Sequence, residues 1–426
     1  MDEKIYGEYV NILKTELVPA MGCTEPISIA YAAAKARKTL GCIPERVEIY
    51  ASPNIIKNVK SVVVPNTGSL RGIDAAAIAG IVAGQADDEL QVLSRVTPEQ
   101  VAQISDYLRS ITCTVKPAEN GYIFYISVLA YGDGHTAHVE IAGNHTNVIS
   151  IKKDEAVLFS REYVEQTSAG KANHELLTVE DIVRFADTVE MSDIEETIAR
   201  QIAYNTAIAE EGLRNSWGAN IGNILLKSYG NSVHNRAKAY AAAGSDARMS
   251  GCELPVVINS GSGNQGLTAS LPVIVYAKEI GATKELLYRA LVLSNLVTIH
   301  LKTGIGPLSA YCGATSAGCG AGAGITYLYG GGYKEIAHTI VNALAINSGM
   351  ICDGAKSSCA AKIASAVEAG LLGMQMESHD RQFYGGEGII VKGVENTIRN
   401  VGELARDGMR ETDKLIIDMM TKNPCR

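Results

Sequence analysis

Residues 302–324 read KTGIGPLSAYCGATSAGCGAGAG, and they directly follow the apolar segment LLYRALVLSNLVTIHLK (286–302). Apolar residues recur at helical spacing in that segment and in three further segments between residues 334 and 406. Because glycine is a weak helix former, we interpret 302–324 as a joint between two helices. Nearly every segment from about residue 195 onwards has a helical pattern, so we predict an all-α C-terminal domain over 191–426.

The preceding part of the chain mixes helical and strand patterns. RVEIYASP (46–53) and VKSVVVP (59–65) predict strands, and three alternating segments between residues 122 and 153 predict an antiparallel meander. We expect a mixed α/β N-terminal domain over 1–190. The fold class is therefore α+β, with the sheet in the first domain and helices alone in the second.

Capping residues locate the helices of the N-terminal domain. A helical pattern at 27–40 is followed by Gly41, and a second begins with Thr97 as cap and Pro98 at its first position. Asp74 is a suitable cap for an alanine-rich helix.

Composition excludes several classes of protein. Of 426 residues, 46% are hydrophobic and 20% are charged, so the chain is not disordered. The net charge is −8 and no run of Lys and Arg occurs, so no nucleic-acid partner and no membrane partner are expected. The apolar segments are too short or too interrupted to span a bilayer. The start MDEKIYGEYV does not resemble a signal peptide, so we expect a cytoplasmic protein, and its Gly/Ala-rich surface helices suggest a homodimer.

Four of the nine cysteines lie close together in the C-terminal domain. Cys312 and Cys319 are seven residues apart, as are Cys352 and Cys359, and the two pairs are 40 residues apart. Zinc ribbons use closer C-x₂-C pairs, whereas iron–sulfur clusters accept wider spacings, so an iron–sulfur site is favoured over structural zinc. The spacing alone leaves open that these cysteines are small buried core residues.

Cys23 is a second kind of candidate. It lies in GCTEP (22–26), where glycine and proline suggest a fixed loop that interrupts a helical pattern. A thiolate there could act as a base or nucleophile if its pKa were lowered. A buried cysteine at a capped helix start is the alternative.

Two glycine-rich turns offer backbone N–H groups and neutral side chains to a substrate carboxylate. The candidate substrate-binding residues are Thr24, Glu25, Asn66, Thr67, Ser262, Asn264 and Gln265. Ordinary turn chemistry explains the same residues. His300 and Lys302 could neutralise a carboxylate or an anionic group, or could simply cap their helix.

GCTEP (22–26), SGSGNQG (260–266) and the triplet Cys312, Cys352 and Cys359 together resemble the L-cysteine desulfidase family. That family is a single-chain relative of the iron–sulfur L-serine dehydratases and includes the serine dehydratase-like UPF0597 proteins of bacteria. The resemblance covers nearly the whole chain, and the C-terminal half resembles the serine dehydratase alpha domain.

The resemblance implies a lyase with an oxygen-labile 4Fe–4S cofactor. Cys312, Cys352 and Cys359 would be its metal ligands, and the fourth iron would bind the thiol or hydroxyl of a small amino-acid substrate. Cys23 would remove the Cα proton or cover the open iron at rest. L-Cysteine would give pyruvate, ammonia and sulfide, and L-serine would lose water instead. Cys425 departs from the pattern, because it too could reach the open iron.

Two other functions stay open at this point. Ser262-Gly263-Asn264-Gln265-Gly266 resembles the Ser-Gly-Asn loop of pyridoxal phosphate lyases, for which Lys238 would form the Schiff base. Alternatively, the four clustered cysteines could hold a structural metal in a protein that is not an enzyme.

Overall fold

The computed structural model describes residues 2–21, 24–122, 124–163, 172–306 and 309–422. Its strands are β1 (Pro19–Met21), β2 (Arg46–Ala51), β3 (Thr112–Pro117), β4 (Tyr125–Gly132), β5 (His135–Ala142), β6 (Val148–Lys153), β7 (Ala156–Ser160) and β8 (Pro255–Val257). Its helices are α1 (Glu3–Glu16), α2 (Thr24–Leu40), α3 (Pro53–Val59), α4 (Gly72–Ala83), α5 (Pro98–Ser110), α6 (Val179–Thr188), α7 (Met191–Arg214), α8 (Ile221–Tyr229), α9 (Val233–Met249), α10 (Gly263–Glu279), α11 (Lys284–Ile305), α12 (Gly313–Leu328), α13 (Tyr333–Ile346), α14 (Cys359–Ser378), α15 (Val394–Glu403) and α16 (Arg410–Lys422). The α+β fold class is confirmed, with the main sheet in the first half and helices dominating the second.

The main sheet has six strands in the order β3-β2-β4-β5-β6-β7. Strands β2 and β3 run parallel, and every other neighbouring pair runs antiparallel. The antiparallel meander is confirmed in β4, β5 and β6, while β3 and β7 extend the sheet beyond the expected strands. Inward-facing residues of β5, such as Val139 and Ile141, are fully buried beneath α2, as the alternating pattern requires.

Capping chemistry places two of the expected helices correctly. α2 ends at Leu40, and Gly41 then takes the left-handed conformation with φ of 94°. At the start of α5, Thr97 and Gln100 form a reciprocal capping box in front of the helix. The third helix differs, because α4 begins at Gly72 and Asp74 therefore lies inside its first turn.

The strand expected at VKSVVVP (59–65) is wrong. α3 occupies the residues before it and ends at Val59, and Val63 makes only a single bridge to Arg71. Pro53 favours a helix start at this point, because its fixed φ suits the first helical turn. Val62, Val63 and Val64 are buried as an apolar loop, so their hydrophobicity reflects burial rather than a strand.

The glycine-rich stretch after Tyr311 is a helix and not a joint, because α12 runs from Gly313 to Leu328. Its glycines are required by close packing. A Cβ on Gly318 would lie 2.2 Å from the carbonyl oxygen of Ala366 in α14, and a Cβ on Gly320 would lie 2.2 Å from Oγ1 of Thr298 in α11. Contact between helix backbones thus offsets the low helix propensity of glycine.

Two hydrophobic cores organise the described residues. One joins α2, α3, α4 and the main sheet, and the other joins α6, α7 and the helices from α9 to α15. α1 belongs to the second core, where its Tyr9, Ile12 and Leu13 are buried. Among the helices of the described ranges, none combines the length and the hydropathy needed to cross a bilayer.

Candidate functional site

A cavity of about 990 Å³ lies where the two cores meet. The first half of the chain contributes residues of α2 and α3 and of the loop after β5, and the helical half contributes the starts of α10, α12 and α14. The chemically active side chains on its wall include Glu25, Lys57, Asn58, His145, Arg248, Ser262, Asn264, Gln265, Lys302, Tyr311, Cys312, Cys352 and Cys359. The volume suits a small metabolite together with a bound cofactor.

Three thiols reach this cavity from different elements. Cys312 is the N-cap of α12, Cys352 lies in the loop after α13, and Cys359 is the first residue of α14. Backbone hydrogen bonds join the two loops, since the N–H of Cys312 donates to Met350 (2.8 Å) and that of Cys352 donates to Ala310 (2.6 Å). The fold therefore brings together the three cysteines of the predicted ligand set.

Cys319 has different surroundings from those three. It lies within α12, is only 2% exposed and is not among the residues that line the cavity. Burial raises the pKa of its thiol to about 12, so it stays protonated and apolar in character. The spacing of seven residues was therefore not enough to distinguish a cavity thiol from a core thiol.

The environment of the three thiols favours a negative charge on Cys352 and opposes one on the other two, because burial also raises the pKa of Cys359. A hydrogen bond with Cys312 and the cation of Lys57 lower the pKa of Cys352, while the same thiol–thiol hydrogen bond and burial raise the pKa of Cys312. Burial lowers the pKa of Lys302, which also faces the cavity, to about 8, against the opposing effect of Cys352 and Cys312. Two helix N-termini, those of α12 and α14, add positive potential.

This donor set is compatible with an iron–sulfur group and less so with a lone ion. In the residues that the structure describes, no three His, Cys, Asp or Glu side chains are close enough to hold a single metal ion. Three thiols around one cavity, with cations and helix N-termini behind them, are what an anionic thiolate–sulfide group requires.

The start of α10 forms another wall of the cavity. Ser262 is its N-cap, and its Oγ accepts from the N–H of Gln265 at 3.5 Å. Asn264 accepts a hydrogen bond from Nη1 of Arg248 at 3.3 Å. Gln265 is 5% exposed, and its Oε1 has no hydrogen-bond partner. Three predicted substrate-binding residues thus lie together beside the thiols.

Glu25 faces the cavity from the first turn of α2. Its carboxylate accepts from Oγ1 of Thr24 and from Nδ2 of Asn58, each at 3.5 Å. Thr24 itself is not among the lining residues. His145 does line the cavity, although the sequence analysis missed it. Burial lowers the pKa of His145, Glu25 opposes that shift, and the ring Nε2 has no partner.

The structure does not bring Asn66 and Thr67 to the cavity. Nδ2 of Asn66 donates to the carbonyl of Leu93 (2.8 Å), and Oγ1 of Thr67 donates to the carbonyl of Val64 (2.7 Å). Thr67 therefore holds its own loop in place, and Asn66 ties that loop to the segment at Leu93. The Ser262 turn and the Asn66 turn have similar residues, and only their positions in the fold separate them.

Two basic residues singled out in the sequence also lie outside the cavity lining. His300 pairs with Glu395 at 2.7 Å, and Lys238 pairs with Glu368 at 2.6 Å. Cys23 and Cys425 fall outside the described residues, so their predicted roles stay predictions. Thr24, the next residue after Cys23, begins α2 at the edge of the site.

A family model described as serine dehydratase alpha chain matches residues 87–418. The chain belongs to this family. The matched region includes all three cavity thiols and the start of α10, whereas Glu25 and Lys57 precede it.

Full-length relatives cover that preceding region as well. A UPF0597 protein of Desulfitobacterium hafniense is 56% identical over 99% of this chain and 98% of its own length. A UPF0597 protein of Lachnoclostridium phytofermentans is 49% identical over 98% of this chain and 100% of its own length. A UPF0597 protein of Treponema denticola is 44% identical over 99% of this chain and 100% of its own length. The segment before residue 87, which carries Glu25 and Lys57, therefore has a counterpart in these relatives.

Proposed function

We propose that the protein is a 4Fe–4S-dependent lyase that converts L-cysteine to pyruvate, ammonia and sulfide, with L-serine as a second substrate that loses water. One observation carries the proposal. Cys312, Cys352 and Cys359 converge on the same cavity from three separate elements, and that cavity also holds polar groups suited to an amino acid. Membership of the serine dehydratase alpha chain family supports the same type of reaction.

The three cysteines would hold the cluster through thiolate bonds. When bound, a cluster with one open iron acts as a Lewis acid for the departing sulfur or oxygen of the substrate. Lys57 and Lys302 face the same thiols and offset the negative charge of the thiolate ligands. Of the three thiols, only Cys352 has a lowered pKa, so ionisation of Cys312 and Cys359 would accompany binding of the metal.

The remaining walls would orient the substrate for β-elimination. Ser262 and Asn264 present a helix N-terminus to the carboxylate, and the carboxylate of Glu25 faces the cavity from the opposite half, where it suits the substrate ammonium. Removal of the Cα proton and loss of the β-substituent leave an enamine, whose imine tautomer hydrolyses to pyruvate and ammonia. Cys23 remains our proposed proton acceptor, because it directly precedes the start of α2.

The pyridoxal phosphate alternative receives no support from the lysine that it needs. Lys238 forms an ion pair with Glu368 and is not among the residues that line the cavity, whereas the Ser262 turn is, so it lacks the position that a Schiff-base lysine would need. We therefore do not propose that function.

The test is an anaerobic assay of the full chain. The purified protein is expected to carry about four irons and matching labile sulfide per chain. It should release sulfide and pyruvate in equal amounts from L-cysteine, and pyruvate from L-serine. Protein that is purified and reconstituted anaerobically and still binds no iron would overturn the proposal.

A further inference from the structure

Arg248 is a buried cation that the proposed reaction has not yet used. It lies in the last turn of α9, is 7% exposed and lines the cavity. Within the described part of the chain, its guanidinium has no carboxylate at ion-pair distance and one hydrogen bond, to the neutral amide of Asn264 at 3.3 Å. Its Nε has no partner.

The neighbouring acid does not neutralise this charge. Asp246 lies two residues earlier, but its carboxylate accepts the N–H of Ile221 at 2.6 Å and supports the start of α8. An arginine cannot escape burial by losing its proton, because its pKa is far above physiological pH. The C-terminal end of α9 stabilises a cation only weakly compared with the cost of burying an unpaired ion.

The guanidinium lies directly on the start of α10. A Cβ on Gly263 would be 2.3 Å from Nε of Arg248 and 2.8 Å from its Cζ, so the guanidinium packs closely against this glycine. The N–H groups of a first helical turn attract anions. An unpaired guanidinium and a helix N-terminus thus face the same part of the cavity.

Gln265 connects this part of the cavity to the thiols. Its Oε1 is buried without a partner, and its side chain touches Gly313, where a Cβ would lie 2.5 Å from Cδ. Gly313 directly follows Cys312. Gln265 therefore lies between Asn264, which Arg248 contacts, and the residue that follows Cys312, an arrangement that suits a substrate whose carboxylate and leaving group are two carbons apart.

We propose that Arg248 binds the α-carboxylate of the substrate, with Gln265 beside it as an acceptor for the α-ammonium. The inference rests on the proposed function for the reaction, although the binding of the carboxylate does not require the cluster. It limits the substrate class to short α-amino acids, because a compound without the carboxylate leaves the guanidinium buried and unpaired.

The first test uses the full chain without a cluster and measures ligand affinity by calorimetry and thermal unfolding. L-Serine should bind and raise the unfolding temperature, whereas ethanolamine, which is L-serine without its carboxylate, should not. Arg248→Gln should weaken L-serine binding about 10- to 100-fold, as expected for a lost charge-assisted hydrogen bond. Arg248→Lys keeps the charge but not the paired donors, so it should bind with intermediate affinity.

Thermal unfolding without ligand distinguishes a ligand-binding role of Arg248 from a structural one. If Arg248 binds ligand, Arg248→Gln should unfold no earlier than the wild type, because it removes an unpaired buried charge. If Arg248 has a structural role, the variant should unfold earlier. The control is Arg37→Gln, since Arg37 donates to the carbonyls of Ile81 (2.6 Å) and Gly84 (3.1 Å) at the end of α4. Arg37→Gln should have a lower unfolding temperature than the wild type, yet L-serine should bind it with wild-type affinity and raise that temperature by the same amount.

The outcomes separate this inference from the proposed function. Unchanged L-serine affinity in Arg248→Gln and Arg248→Lys, or equal binding of ethanolamine and L-serine to the wild type, overturns the role of Arg248. Arg248-dependent binding of L-serine by a chain that takes up no iron and forms no pyruvate supports the carboxylate site while the proposed reaction fails. In the iron-loaded enzyme, Arg248→Lys should raise KM for L-cysteine about 10-fold or more, with a smaller change in kcat.

Discussion

Cys312 and Cys319 lie seven residues apart on one helix and have opposite surroundings. Cys312 caps the start of α12 and faces the cavity, whereas Cys319 is two turns further on and is packed in the helical core. A thiolate at Cys319 would be costly, because burial raises its pKa to about 12. These residues therefore form a matched pair for testing which thiols bind iron.

We expect Cys312→Ala to lose the cluster and the lyase activity, because one of three thiolate ligands is removed. Cys319→Ala should keep iron and activity, and should lower the free energy of unfolding by roughly 1 kcal/mol for the lost buried group. Iron content and pyruvate formation are measured on both variants after anaerobic purification. Equal loss of iron in the two variants would favour a four-cysteine structural site instead.

At the scale of elements, the contact of α12 with α14 positions the thiol wall. A Cβ added to Gly322 in α12 would lie 2.6 Å from the carbonyl oxygen of Gly370 in α14. A Cβ added to Gly370 would lie 2.1 Å from the carbonyl oxygen of Gly318 in α12. The two helices therefore touch through their backbones. Since Cys312 and Cys359 lie at their N-terminal ends, the distance between these helices sets the separation of two proposed ligands.

Gly318→Ala should force α12 and α14 apart and destabilise the protein by about 1–3 kcal/mol, with a loss of iron retention. Gly7→Ala is the control, because Gly7 lies exposed within α1 with no atom within 4 Å of the added Cβ. That change should stabilise by about 0.5–1 kcal/mol through helix propensity. Urea unfolding measures the free energy of unfolding of both variants. A Gly318→Ala variant as stable as Gly7→Ala would contradict the packing argument.

At the scale of the whole molecule, α3 links the two halves at the cavity. Lys57 in α3 is 2% exposed and forms an ion pair of 2.6 Å with Asp413 in α16. Its carbonyl oxygen would lie 2.1 Å from a Cβ on Gly354, in the loop between Cys352 and Cys359. The C-terminal helix and the thiol loop therefore both contact one residue of the sheet-bearing half.

Asp413→Asn should destabilise the protein by roughly 3 kcal/mol, because it leaves the buried ammonium of Lys57 without its carboxylate. Glu411→Gln is the control, since Glu411 pairs with Lys414 on the surface with 80% of its side chain exposed, and its loss should change stability by less than about 0.5 kcal/mol. Thermal and urea unfolding compare the two variants. If Asp413→Asn is no less stable than Glu411→Gln, α16 does not anchor α3.

Much of the local structure follows from the sequence. The capping box at Thr97, the glycine stop at Gly41 and the alternation in β4, β5 and β6 each depend on a few neighbouring residues, so each could be predicted. The triplet Cys312, Cys352 and Cys359 could also be named from its motif, together with Ser262, Asn264 and Gln265. The cavity contains all six.

Only the tertiary structure decided the rest, because burial depends on residues far away in the chain. The glycines of α12 look like a loop until α11 and α14 pack against them, and Val62–Val64 resemble a strand until the loop around them is seen to be buried. The turns at Asn66 and Ser262 look alike, yet only the second opens into the cavity. Arg248 is one arginine among many in the sequence, and it becomes a candidate ligand-binding residue only because the fold buries its charge without a carboxylate partner among the described residues.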